Sequence, residues 1–178
     1  MRNATRVLTV LVAAALALSG PVAAHAAKGE SETARHQRQL LKTIDNVSDH
    51  LDRSVKPSRI DRLSSTTQAG LVANVAADKA SLGELATAAQ AVGSTLDLRQ
   101  AREQVKELRP ENYRLVVNVL RKAERLLTDA TAGSAAATAL SAVVTEGLTV
   151  DASTERSVLR DLRTDLDAAK DLLAPSAG

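Results

Sequence analysis

Leu40, Ile44, Val47, Leu51 and Val55 recur at steps of three and four residues, which places them on one face of an α-helix. The pattern predicts a first helix over about 31–55. Lys56-Pro57 ends it, because the residue before a proline disfavours the α region. A second helix is predicted over about 58–92, roughly 50 Å long. Its seam is Ile60, Leu63, Leu71, Leu82 and Leu85, and its opposite side carries Ala69, Val72, Ala73, Ala76 and Ala80. Between Arg62 and Glu84 the only charges are Asp78 and Lys79. A helix that is apolar nearly all round is normally a buried one, so this helix is expected at the centre of the fold.

Gly93-Ser94 reads as a turn. A third helix follows to Arg109, with Leu98, Ala101, Val105 and Leu108 inward. Pro110 leaves two readings. The preferred one is a kinked continuation, since proline deletes a backbone bond and clashes with the preceding turn. The other is a fresh helix with Pro110 at its first position. Tyr113, Val116, Val117, Leu120, Ala123 and Leu127 form the inner face beyond it, ending near Thr131. Ala132-Gly133-Ser134 breaks the pattern, and a short Ala-rich helix covers about 134–146. Gly147 is the expected C-terminal stop and 148–152 a connector. A last helix over about 153–173 turns Leu159, Leu162, Leu166, Ala169 and Leu173 inward. The fold expected is all-α: an elongated antiparallel bundle of four to five helices around a long second helix.

The first residues have a different character. Arg2 and Arg6 precede a weakly polar-to-apolar run over 7–19, Gly20-Pro21 breaks it, and Ala24-His25-Ala26 offers small residues where a signal peptidase reads. The run is shorter than the roughly 20 residues a membrane-spanning helix needs. The expectation is a Sec-type signal peptide over 1–26, cut after Ala26, with Ala24 as second choice. The mature domain is then 27–178, with flexible ends at about 27–30 and 174–178. It is secreted or held on the cell wall, with no transmembrane segment once the leader is removed.

Composition narrows the chemistry. The chain has 23 Lys and Arg against 21 Asp and Glu. The leader holds two of those bases and no acid, so the mature chain is formally neutral. Tyr113 is the single aromatic residue. A nucleic-acid binder needs a basic excess and, for single strands, stacking aromatics, so nucleic acid is set aside. There is no cysteine, which excludes disulfides, thiolate metal sites and a cysteine nucleophile. His36 and His50 are about 21 Å apart on a straight helix, too far to share a metal. Met1 is the only methionine, so a His/Met haem is excluded. No metal ligand, cofactor site or catalytic residue is expected.

One feature of the long helix does call for a partner. At about 100° per residue, Thr67, Asn74 and Asp78 share the face of Ile60, Leu71 and Leu82. An unpaired buried carboxylate is costly, and Arg114, Arg121, Arg125 or the Tyr113 hydroxyl are the candidates to meet it. These seven residues form a candidate buried polar cluster. It is read chiefly as a layer fixing helix register, with a ligand pocket or simple exposure as the alternatives. The basic faces, Arg114 to Arg125 and Arg99 to Arg109, and the mixed face of the last helix, are read as solvated and partly paired surfaces rather than anion sites.

The stretch Leu108-Arg109-Pro110-Glu111-Asn112-Tyr113-Arg114, the Ala-Glu-Arg-Leu run at 123–126 and the connector Gly147-Leu148-Thr149-Val150-Asp151 resemble secreted helical proteins of actinobacteria. The resemblance implies an exported helical hairpin or bundle and brings with it no activity and no site residues. The function expected first is a non-enzymatic interaction or structural protein, secreted or envelope-associated, whose partner is an envelope component or another protein. The alternative is an extracellular carrier of a small apolar ligand held between helices. An all-α secreted enzyme is third.

Overall fold

The computed structural model describes residues 31–91 and 95–173. The leader with its cut at Ala26, the start at 27–30, the Gly93-Ser94 turn and the tail at 174–178 lie outside them. Seven helical segments follow one another: α1 (Glu32–Ser54), α2 (Pro57–Ile60), α3 (Ser65–Ala91), α4 (Thr95–Glu107), α5 (Glu111–Asp129), α6 (Ala135–Gly147) and α7 (Arg156–Asp171). Among the described residues there is no strand. α2 is a single turn, and α4 with α5 forms one bent run. The architecture is therefore an all-α bundle of five long arms. No helix of the described residues is long and apolar enough to cross a membrane.

α1 packs on α3 and α4, and α5 packs on α6 and α7. The first group buries Leu40, Ile44 and Leu51 with Leu71, Val75, Leu82, Leu98 and Val105. The second buries Tyr113, Val116, Leu120, Leu140, Val143, Leu162 and Leu166. The two groups share one continuous apolar core. Serine caps open α1 and α6. Ser31 Oγ accepts from Ala34 N at 3.2 Å, and Ser134 Oγ accepts from Ala137 N at 3.1 Å, each satisfying an otherwise unpaired N–H of the first turn.

Several expectations need correction. The long second helix is not continuous over 58–92. The chain leaves the helix at 61–64 and α3 starts at Ser65. Ser64 caps α3 through Thr67 N at 3.3 Å, and Gln68 Nε2 donates to Leu63 O at 2.7 Å. The Ser64-Ser65-Thr66-Thr67 run carries this signal, because short hydroxyl side chains compete for backbone groups and favour caps. α3 is also not buried on all sides. Ala69, Ala73, Ala76 and Ala80 are exposed, and so is Val72 at 47%. Alanine is the strongest helix former and exposes little area, so an alanine-rich face says less about burial than its apolarity suggests. Leu85 is only half-buried.

At Pro110 the helical bonding stops and resumes within three residues. Arg109 N donates not to its own helix but to Ala152 O at 2.7 Å. The last helix begins at Arg156 rather than Ser153, because Ser153 and Thr154 are held by Asp151. Its Oδ1 accepts from Ser153 N and Oγ at 2.8 Å each and from Thr154 Oγ1 at 2.9 Å. Gly147 does end α6, but its role is contact. The only described glycine with positive φ is Gly133, at 77°. A Cβ on Gly147 would lie 2.7 Å from Leu120 Cδ2, so the glycine lets α6 lie close against α5.

Candidate functional site

The polar positions of α3 each reach a different neighbour. Thr67 Oγ1 donates to Glu124 Oε1 of α5 at 2.6 Å. Asn74 Nδ2 donates to Leu148 O at 2.7 Å and Val150 O at 3.1 Å. Asp78 Oδ2 accepts from the Tyr113 hydroxyl at 2.7 Å and from Ala152 N at 2.9 Å. Three residues on one helix face thus tie α3 to α5 and to the connector between α6 and α7. Asn112, which the hydrophobic pattern does not single out, completes the arrangement from α5. It is fully buried, and its Nδ2 donates to Thr154 O at 2.9 Å, Asp151 O at 3.2 Å and Ala152 O at 3.3 Å. Its signal in the sequence is only its place beside Tyr113 on the inner face.

Burial pushes the Asp78 carboxyl above its ordinary value of 3.8. The bonds from Tyr113 and Ala152 pull it back in part, and the nearby Asp151 charge adds to the rise. Tyr113 is pushed far above 10.0, first by burial, then by its bond to Asp78 and the charges of Asp78 and Asp151. The phenol therefore stays protonated and the pair acts as a hydrogen-bonded staple. Tyr113 is fully buried, Asp78 is half-buried, and neither lines the two grooves described below.

The arginines expected around Asp78 are elsewhere. Arg114 and Arg125 are exposed, and Arg121 is half-buried with Nη2 donating to Arg59 O. The candidate cluster of Thr67, Asn74, Asp78, Tyr113, Arg114, Arg121 and Arg125 thus divides. The first four bridge helices, while Arg121 and Arg125 belong to a groove on the surface.

That groove, about 910 Å³ in volume, opens between the start of α3, the second half of α5, and α6. Half-buried Leu127, Val144 and Leu148 supply apolar lining. Arg62, Arg121, Lys122 and Arg125 supply four cations against the single carboxylate of Glu124. Glu124 is engaged by neutral donors: Ser64 N at 2.8 Å, Ser64 Oγ at 2.7 Å and Thr67 Oγ1 at 2.6 Å. It reaches the exposed N–H of the cap residue, the task that a carboxylate three residues further on performs in a capping box. Among the described residues none of the four cations forms an ion pair, and Arg121 Nε is buried without a hydrogen-bond partner. Of the two basic faces, the one over Arg99 to Arg109 is partly paired, through Lys106 and Glu103 at 2.6 Å.

A second groove of about 430 Å³ runs between α5 and α7. Leu115, Val119, Leu159 and Leu166 line it, with Arg156, Arg160 and Arg163 at its edge, and Lys122 borders both grooves. Among the described residues no three metal-binding side chains come together.

The fold and site define an all-α, cysteine-free bundle with cation-lined surface grooves. Compared with known proteins, the chain matches no family model, no curated protein and no solved structure.

Proposed function

We propose that the protein is a non-enzymatic helical binding protein, exported by its leader, that acts in the medium or on the cell envelope and holds its partner against the grooves beside α5. The observation that carries this reading is the set of unpaired cations, Arg62, Arg121, Lys122 and Arg125, around one groove. Like charges crowded together without counter-charges repel one another, and an anionic partner relieves that repulsion. In the same groove the one carboxylate is already taken by three donors, which leaves no free acid–base pair for catalysis. The apolar lining favours a second reading, an extracellular carrier of an apolar ligand.

The test is fractionation of cells that make the chain, with crosslinking and mass spectrometry. The expected result is a protein outside the cytoplasm that begins at Ala27 and is retained on envelope material. The Arg62→Glu/Arg125→Glu variant, its helicity intact, is washed off. Recovery of the full chain inside the cytoplasm overturns the export part of the reading, and equal retention of variant and parent overturns the binding part.

A further inference from the structure

We infer that the groove between the start of α3, α5 and α6 binds a single-chain anionic amphiphile, with a carboxylate or phosphate head and an alkyl tail. This rests on the binding-protein reading above and gives that surface its ligand. The volume, about 910 Å³, falls within the roughly 300–1,000 Å³ of small-molecule pockets. Two chemistries meet in it. Leu127, Val144 and Leu148 leave apolar surface half-covered, which an alkyl tail removes from water.

The head is set by the cations. Three of the four are arginines, whose planar forks match carboxylate and phosphate oxygens. The buried Arg121 Nε–H has no acceptor. The opening itself is bordered by Arg62, Lys122 and Arg125, which are exposed and free to meet a head group. Glu124 does not engage them, because its oxygens face Ser64 and Thr67. An inorganic anion satisfies the cations but leaves the apolar lining wet, and a neutral lipid does the reverse. Only a ligand carrying both parts answers both. Thr66, exposed in the same lining, offers a hydroxyl to a remaining head oxygen.

Calorimetric titration of the processed protein with dodecyl phosphate, below its micelle concentration, tests this. Inorganic phosphate and dodecyltrimethylammonium are titrated alongside. The expected result is saturation at one dodecyl phosphate per chain, with inorganic phosphate weaker by about tenfold or more and no saturable binding of the cationic surfactant. Arg62→Glu/Arg125→Glu should weaken dodecyl phosphate by about tenfold or more, the loss of at least one charge-assisted bond. The control Arg99→Glu/Arg102→Glu, on exposed positions of α4, leaves binding unchanged. Methyl resonances of Leu127, Val144 and Leu148 should shift in step with saturation, which reports the tail directly even if the charge variants fold poorly.

Equal affinity for inorganic phosphate, binding of the cationic surfactant, unmoved methyl resonances, or binding only to anionic vesicles and not to the monomer each overturns the assignment. If dodecyl phosphate fails while envelope retention still depends on Arg62 and Arg125, the ligand is wrong and the binding-protein reading stands. If retention is also indifferent to those residues, both fall.

Discussion

Asp78 is where burial and hydrogen bonding oppose each other most directly. Its folded-state pKa is raised, so between 3.8 and that higher value the native state holds more protons than the unfolded chain. Stability must therefore fall as pH rises through this window. Asp78→Asn keeps an oxygen to accept from Tyr113 and Ala152 and cannot ionise. Melting curves from pH 3.8 upward should show a smaller decline for Asp78→Asn than for the parent. An identical slope would show that Asp78 does not titrate differently on folding. Asp78→Ala orphans two donors and should cost about 1–3 kcal/mol, more than Lys79→Ala, whose pair with Asp52 is solvent-exposed. Tyr113 offers a second readout, since no other aromatic residue contributes to the spectrum. Its raised pKa means that stability is lost as pH climbs above 10.0. Phenolate absorbance should appear together with unfolding and not before it.

Two glycines separate backbone freedom from close approach. Gly147→Ala drives a methyl to 2.7 Å from Leu120, which is fully buried and cannot swing aside. We expect a loss of about 1–3 kcal/mol in denaturant titrations. Gly83 lies exposed within α3 with nothing within 4 Å of an added Cβ. Gly83→Ala should stabilise by about 0.4–1 kcal/mol. If both changes stabilise, the close packing of α6 on α5 is looser than described.

At the level of elements, the start of α3 depends on a residue 57 positions away from Thr67. Glu124 caps a helix it does not belong to, and its charge lies near the N-terminal end of α3, where the helix dipole favours an anion. Glu124→Gln turns one acceptor oxygen into a donor facing Ser64. It should cost about 1–2 kcal/mol and speed hydrogen exchange at Ser64 and Thr67 before the rest of α3. Unchanged exchange at those amides would show that Ser64 caps the helix unaided. The α1, α5 and α7 faces were legible from spacing alone: Leu40, Ile44, Leu51, Tyr113, Val116, Leu120, Leu159, Leu162 and Leu166 are all buried. α3 was read less well. Its alanines satisfy the apolar pattern on every side, so periodicity could not say which side meets a neighbour.

Across the whole molecule, the connector at 148–154 is the keystone that local patterns do not reveal. Val150 and Ala152 are fully buried, and Asn74, Asp78, Asn112 and Arg109 N all bind its backbone. Buried peptide groups must find partners, and here those partners come from α3, α5 and the bend between α4 and α5. The stretches Leu108–Arg114 and Gly147–Asp151 are thereby bonded to each other. Such cross-linking predicts a single cooperative unfolding transition. Asn112→Ala, which removes three of these bonds, should lower its midpoint without splitting it, at a cost of about 1–3 kcal/mol. Two separate transitions for the parent protein would show that the helix groups fold independently.

The all-α class, the absence of cysteine chemistry, most inward faces and the need of Asp78 for a partner follow from residue order alone, because helical periodicity and the cost of burying charge act over short range. The choice of Tyr113 over three arginines, the cap lent by Glu124, the exposed alanine face and the gathering of cations into one groove were decided only by tertiary packing. Each depends on how helices far apart in sequence are set side by side, and spacing along one helix carries no information about that.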